Sequence, residues 1–447
     1  MAKADAVLSE IARSKHEKVK VAITDLDGIL RGKYLHKEKF LSAAESGFGF
    51  CNVVFGWDSA DVCYDNATYT GWHTGYPDAL ARIDLSTYRS IPWDDGVPFF
   101  LGDFDLDVCP RQLLKRVLAR GQKAGFAPKC GVEYEWFNFK ETPQSLAAKG
   151  HADPQPLTPG MFGYSVLRAG LNQPYFAALM DQLRAFDVPL EGLHTETGPG
   201  VFEAAIAYAD ALEAADRAVL FKTAVKEIAY RQQILASFMA KWNAKLPGCG
   251  GHIHLSLWDG AGKKNALYDA RDPAKMSPTF KHFLAGQLRC LPEILPMFAP
   301  TVNSYKRLVD GYWSPTKPSW GVDNRTTAFR VIPGSEKSTR VEIRIGGADI
   351  NPYLAIAAAV ASGLFGIEHR LELSAPPITG SAYQEKSIPR LPRTLAEATA
   401  KMAESPIARE LFGEGFVDHF VRTRQWEWAQ FADAVTNWEL QRYFEII

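Results

Sequence analysis

The sequence predicts an α+β fold, with a small sheet-rich region followed by a larger region in which antiparallel strands alternate with helices. Two observations predict it. Short apolar segments broken by Gly, Pro, Asp and Trp crowd the first part of the chain, and helical periodicity sets in abruptly after Asp107. In the first region, Lys20–Leu26 alternates into a turn at Asp27-Gly28 and a second extended run follows at Gly32–Leu35, which is a hairpin signal. Further short runs at Phe48–Phe55, Ala79–Ile83 and Pro98–Leu101 complete a small sheet domain over residues 15–103.

Residues 104–447 form the second domain. Pro110 opens a helix with Leu113, Leu114, Val117 and Leu118 on one face. Helical patterns recur at Asn172–Phe186, Ala204–Lys241, Pro278–Phe298 and Pro352–Leu371. Strand patterns lie between them at Pro128–Phe137, Gly251–Trp258, Thr326–Ile332 and Thr339–Ile345. Thr142 to Pro159, rich in polar residues, Gly and Pro, reads as a surface loop. The length of 447 residues suits about three average domains, or two with one unusually large.

The composition is that of an ordinary globular protein, 47% hydrophobic and 23% charged, with a formal charge of −1. Nucleic acid and anionic membrane surfaces are not the expected partners, since both call for clustered positive charge. The six cysteines are scattered without a CxxC pair and read as free thiols in a reducing compartment. The first twenty residues carry charges throughout, and the longest apolar run, Leu354 to Ile367, is shorter than the about 20 residues of a membrane span. A cytoplasmic protein is expected.

Three strand candidates place ionisable side chains two apart, hence on one face: Glu133-Tyr134-Glu135, His252-Ile253-His254, and Arg340-Val341-Glu342-Ile343-Arg344. Glu196 and Glu203 flank a tight loop through Gly198-Pro199-Gly200. Each pattern alone has a plainer reading, as a solvated sheet face or a salt-bridge ladder. Together they describe one cavity of carboxylates and imidazoles, which suit Mg²⁺ or Mn²⁺ better than structural zinc, and of arginines, which suit phosphate and carboxylate. Asp259-Gly260-Ala261-Gly262-Lys263-Lys264 lacks the spacing of a phosphate loop and reads as a hairpin turn.

Asn303-Ser304-Tyr305-Lys306-Arg307-Leu308, followed by Gly311-Tyr312 and Pro315, resembles the glutamate-binding signature of the glutamine synthetase family. Gly248-x-Gly250-x-His252-x-His254-x-Ser256 resembles its metal and nucleotide segment, and Asn324-Arg325 with Arg330 its phosphate-binding stretch. Arg340-x-Glu342-x-Arg344 and Asn351-Pro352-Tyr353-Leu354 complete the order, so the resemblance runs over nearly the whole chain. It implies a β-grasp-like N-terminal domain on a large catalytic domain of antiparallel strands and helices. It also implies a homo-oligomeric ring, hexamer or dodecamer, whose active sites are shared between neighbouring subunits.

The resemblance further implies ATP as co-substrate and two or more divalent ions. Glu135, Glu196 and Glu203 would hold the ion nearer the substrate carboxylate; Glu133, His252 and Glu342 would hold the one on the ATP phosphates. Arg307 and Arg344 would grip glutamate, with Gly248 beside it. Arg325, Arg330 and Arg340 would neutralise phosphate charge, and His254, Ser256 and Lys337 would lie near the nucleotide. The activity implied is γ-glutamyl phosphate formation followed by attack of an amine.

The pattern departs from the family on the amine side. Trp313 follows Gly311-Tyr312 where glutamine synthetases have a glutamate that helps to bind ammonium. Phe55-Gly56-Trp57-Asp58-Ser59 is a poor match to the N-terminal ammonium signature, with Asp58 the one candidate replacement. Pro247 stands in place of an asparagine and Val201 in place of a glutamine. An indole offers a π-face to a cation or an apolar group but no carboxylate. The expectation is therefore a ligase for an amine larger and more apolar than ammonia. A true ammonia-using enzyme and a non-catalytic nucleotide or nitrogen-metabolite sensor stand as alternatives.

Overall fold

The computed structural model describes residues 2–447. Its first sheet is six-stranded: β1 (Lys18–Thr24), β2 (Leu30–His36), β3 (Phe48–Cys51), β4 (Asp78–Ile83), β5 (Arg89–Ile91) and β6 (Val97–Phe104). The order is β2-β1-β6-β4-β3 with β5 on β6, and β1 runs parallel to β6. The hairpin pairs Lys20 with Tyr34 and Ala22 with Gly32. Its turn needs Gly28, at φ +78°, where an added Cβ would lie 3.0 Å from the Asn351 Cα.

The second sheet has nine strands: β7 (Phe126–Phe139), β8 (Leu190–Thr195), β9 (Val201–Ile206), β10 (Ala209–Asp210), β11 (Leu235–Ser237), β12 (Gly251–Asp259), β13 (Trp320–Val322), β14 (Phe329–Ile332) and β15 (Arg340–Ile343). The order is β13-β14-β15-β12-β7-β9-β8, with β10 and β11 also on β7. All pairings are antiparallel except β13 with β14, which is parallel and departs from the all-antiparallel expectation. The turn after β12 closes with Lys264 O accepting from the Asp259 amide, so Asp259–Lys264 is the hairpin turn expected of it.

One face of this sheet is dry. Val132, Tyr134, Trp136, Ile253, Leu255, Val341 and Ile343 are all buried, alternating with the polar set. Helices Ala211–Arg231, Pro278–Ile294 and Pro352–Glu368 belong to the same core, and Phe221 stacks on Tyr134 with centroids 5.9 Å apart. Asn351 caps the last of these helices by accepting from the Tyr353 amide. Its amide group also donates to the carbonyls of Asp25 and Leu26, tying the two sheets together.

Three expectations are corrected. The helical pattern over Ala204–Lys241, open as to whether it is interrupted or continuous, starts later and is interrupted: residues 201–206 form β9, and the helix spans Ala211–Arg231 before β11. Ala204, Ala205 and Ile206 satisfy either period, and pairing with β7 decides for strand. The loop Thr142 to Pro159 contains a short helix, Pro143–Ala148, started by a Thr142–Ser145 capping box. Helices at Ala2–Arg13, Leu395–Glu404, Pro406–Phe412, Glu414–Asp433 and Asn437–Tyr443 are additional to those the pattern indicated. Among the described residues no helix is long and apolar enough to cross a membrane.

Candidate active site

The polar face of the nine-stranded sheet is assembled by register. Directly opposed residues are His194 and Glu203 on β8 and β9, Glu203 and Glu135 on β9 and β7, and Glu133 and His252 on β7 and β12. His254 and Glu342 then oppose each other on β12 and β15, and Glu342 and Arg330 on β15 and β14. Opposed side chains share a face with Cβ atoms about 5 Å apart, so the backbone alone lines up four carboxylates, three imidazoles and a guanidinium. The loop before β9 adds Glu196. It needs Gly200 at φ +72°, where a Cβ would fall 2.3 Å from the Asn138 carbonyl oxygen.

Contacts follow this row. The Glu133 carboxylate lies 3.5 Å from His252 Nδ1 and 3.2 Å from His254 Nε2. Glu342 is 3.6 Å from His252 Nδ1, accepts from Arg330 Nη1 at 2.7 Å, and pairs with Arg344 Nη1. Burial pushes the Glu133 carboxyl up, but its hydrogen bonds to the two imidazoles outweigh this and hold it well below the usual range. Glu342 is pulled down to about 2: burial opposes, and the charges of Arg344, the histidines and Arg330 prevail.

Glu203 behaves oppositely. Burial first, and then the neighbouring Glu133, Glu135 and Glu196 carboxylates, push it up to about 11. A cluster that keeps one carboxyl protonated far above neutrality lacks positive charge, and hard divalent cations supply what it lacks. Ligand-capable atoms of Glu133, His254 and Glu342 lie within 4.8 Å of one another, as do those of His194, Glu196 and Glu203. These groupings differ in two members from the sets the sequence suggests. His254 as well as His252 faces Glu133, and Glu135 turns Oε2 to accept from the Gly250 amide at 2.6 Å. His194 was not anticipated, although it stands two residues before Glu196 on a strand.

Two cavities meet at Glu133. One of about 290 Å³ is lined by His254, Ser256, Lys337 and Arg340, and Arg340 Nε donates to His254 Nδ1 at 3.1 Å. The other, about 520 Å³, is lined by Glu135, Glu196, Glu203, Gly248, His252, Arg307, Trp313, Arg325, Arg330, Glu342 and Arg344. The candidate metal, phosphate, nucleotide and glutamate residues, and Trp313, therefore border one cavity or the other. Trp57 and Asp58 border neither: Trp57 lies under the Arg31 guanidinium, and Asp58 accepts from the Trp426 indole.

Arginines in the larger cavity differ in availability. Arg307 is buried and donates to the carbonyls of Ile345 and Arg344, both at 3.2 Å. Arg344 is held by the Arg325 carbonyl and Glu342. The Arg325 side chain is exposed and makes no hydrogen bond within the described chain. Trp313 is 60% exposed and sits at φ +59°, a left-handed backbone costing a bulky residue about 1–3 kcal/mol. Tyr164, also unanticipated, stacks on His194 with centroids 4.3 Å apart.

The pattern of the glutamine synthetase catalytic domain matches residues 107–443, three quarters of the chain and the whole of this site. The chain belongs to the glutamine synthetase family.

It is similar to Type-1 glutamine synthetase 2 of Dictyostelium discoideum, 54% identical over 99% of this chain and 86% of that protein. A glutamate–isopropylamine ligase of a Pseudomonas species is 37% identical over 98% of this chain and 97% of its own. The γ-glutamylethanolamide synthetase GlnA4 of Streptomyces coelicolor is 36% identical over 97% and 94%. Among solved structures, GmaS in complex with ADP superposes with a TM-score of 0.85 at 29% identity, covering 98% of this chain and 99% of that one. Members of the glutamine synthetase family are ATP-dependent carbon–nitrogen ligases that use divalent cations, and this chain is such a glutamate–amine ligase.

Proposed function

We propose that this ligase joins the γ-carboxylate of L-glutamate to an amine larger and more apolar than ammonia. The observation that carries the reading is Trp313. It presents an indole, not a carboxylate, to the larger cavity, from a left-handed backbone at φ +59°. Relatives named for isopropylamine and ethanolamide ligation support the same direction.

The chemistry begins with a carboxylate whose oxygen leaves too poorly for an amine to displace. Its oxygen attacks the γ-phosphorus of ATP, the bond to ADP breaks, and an acyl phosphate forms. The neutral amine nitrogen then attacks the acyl carbon, the bond to phosphate breaks, and the proton shed by the nitrogen leaves with the phosphate. Divalent cations on Glu133, His252 or His254, and Glu342, and on Glu135, Glu196, Glu203 and His194, would neutralise phosphate and carboxylate charge during the transfer.

Arg325 has the free donors to meet the transferred phosphoryl group, with Arg330 beside it. Arg344, held on two sides, offers its remaining nitrogen to the amino acid, while Arg307 braces the Gly248 segment from beneath. Lys337, Arg340, His254 and Ser256 receive the nucleotide in the smaller cavity. Trp313 covers the reacting carbon against water and packs on the amine substituent.

Phosphate release from ATP with Mg²⁺ and L-glutamate, across ammonia, alkylamines, aromatic amines, ethanolamine and polyamines, tests this. Turnover favouring a bulky monoamine, with the γ-glutamyl amide identified by mass spectrometry, is expected. Preference for ammonia would instead support a second reading, a true glutamine synthetase, which the 54% identical relative favours by its description.

A ring of copies goes with either reading. Val166, Leu167 and Leu171, and separately Trp438, Phe444 and Ile447, are large apolar residues left exposed in the single chain. A mass of six or twelve subunits by light scattering is expected.

A further inference from the structure

A third cavity, of about 230 Å³, lies outside the site, between the β1–β2 hairpin and helix Ala211–Arg231. Its floor is the hairpin face carrying Lys20, Ala22 and Gly32. Gly32 keeps it open: a Cβ there would come within 3.0 Å of the Ala22 Cβ and 2.3 Å of the Val21 carbonyl oxygen. Its walls are apolar, with Phe186 and Leu220 both buried.

Lys33, Tyr34 and Thr223 also line the cavity, with the Lys33 ammonium over the Phe50 ring and the Tyr34 hydroxyl donating to Asp94, so the charged pair that faces it is Lys20 and Glu227. Lys20 Nζ and Glu227 Oε1 face each other loosely at 3.5 Å, and the other Glu227 oxygen accepts from the Trp93 indole. Lys20 makes no other hydrogen bond, which leaves protons on its ammonium unused among the described groups. An apolar pocket with a few convergent polar groups is the usual form of a small-molecule site. At this volume it takes something the size of a single amino acid and not a nucleotide.

We infer that this cavity binds a free apolar α-amino acid: carboxylate on Lys20, ammonium on Glu227, side chain against Phe186 and Leu220. The zwitterion is favoured because it satisfies both members of a loosely joined pair at once. A simple carboxylate would meet Glu227, and a simple amine would meet Lys20, as a like charge. None of these residues borders the two catalytic cavities.

Calorimetric titration of the assembled enzyme tests this, with leucine, phenylalanine, their des-amino and des-carboxyl analogues, and serine, each with and without saturating glutamate. Saturable binding of leucine or phenylalanine that glutamate does not displace is expected, with each analogue weaker by about tenfold or more, as loss of one charge pair of about 1.4 kcal/mol implies. Glu227→Gln, which keeps an acceptor for Trp93, and Thr223→Phe, which fills the cavity, should each abolish this binding and leave phosphate release with glutamate and amine unchanged. Glu227→Gln serves alone if the larger substitution disturbs folding. The inference is overturned by no binding into the millimolar range, by displacement with glutamate, by an analogue that binds as well as the zwitterion, or by binding intact in Glu227→Gln.

Discussion

The two halves of the active site are built differently. Around Glu133, His252, His254 and Glu342 every side chain is mounted on a strand, buried or half-buried, and held by at least one polar or ionic partner. Around Trp313 and Arg325 the side chains stand on loops, are exposed, and in the case of Arg325 have no partner. A group fixed by sheet register cannot change without disturbing its neighbours across the ladder, whereas a loop residue can. The strand-mounted half is thus suited to the invariable part of the reaction, charge neutralisation, and the loop-mounted half to the choice of amine.

The sharpest way to break this comparison is at Glu133, the wall shared by both cavities. Glu133→Gln should lower kcat for phosphate release by about a thousandfold whichever amine is offered. A loss confined to one amine would refute the division of labour. At the other end, Trp313→Glu should shift the kcat/KM ratio towards ammonia by about tenfold relative to a bulky monoamine. Comparable losses for both substrates would make Trp313 part of the common machinery instead.

The strand-mounted half should also show its need for positive charge through pH. The folded carboxyl of Glu203 is raised to about 11, so metal-free protein holds a proton that the unfolded chain has released by neutral pH. That contribution to stability is fully present below the ordinary carboxylate range and is lost as pH rises towards about 11. Melting temperature without divalent ions should therefore fall between about pH 6 and pH 9. Saturating Mg²⁺ should flatten the curve, and Glu203→Gln should flatten it without metal; a steep curve in that variant would place the titration elsewhere. The smallest effect is expected of Lys337, exposed at the mouth of the smaller cavity where we propose the nucleotide binds: Lys337→Ala should raise the KM for ATP by about threefold and leave kcat intact.

The difference between the halves also governs what could be read from the sequence. Ionisable residues two apart on a strand betray themselves, since period two puts them on one face, and Glu133, Glu135, His252, His254, Arg340, Glu342 and Arg344 all line cavities as that spacing requires. His194 stands two residues before Glu196 and so shares the same period, but a lone imidazole ahead of a carboxylate is too common a pattern to mark a site by itself. Tyr164 was not legible. It reaches His194 through a loop at φ +54°, and no periodicity encodes that. Ala204–Ile206 reads as the start of the helical pattern because Ala-Ala-Ile has no period of its own; its identity as the end of β9 is conferred by β7. Helices Leu395–Glu404 and Glu414–Asp433 bury only part of their length, Leu395, Ala398 and Met402 on one and Phe416, Val417 and Phe420 on the other, so their apolar pattern is diluted by polar positions.

Asn351 carries a consequence for how the chain is made. Its side chain donates to the Leu26 carbonyl across 325 residues of sequence, and β12 waits for β15 to cover its free edge. On the ribosome, the hairpin at the start of the chain and the strand β12 are synthesised well before Asn351 and β15, their respective partners, exist. Closing contacts over such separations is slow, because most of the chain must be gathered before the first such contact returns any energy. Until then the edge of β12 is an open template for other strands. Nascent chains released before residue 351 should accordingly aggregate, while the complete chain, once closed, has no such edge to offer between β7 and β15.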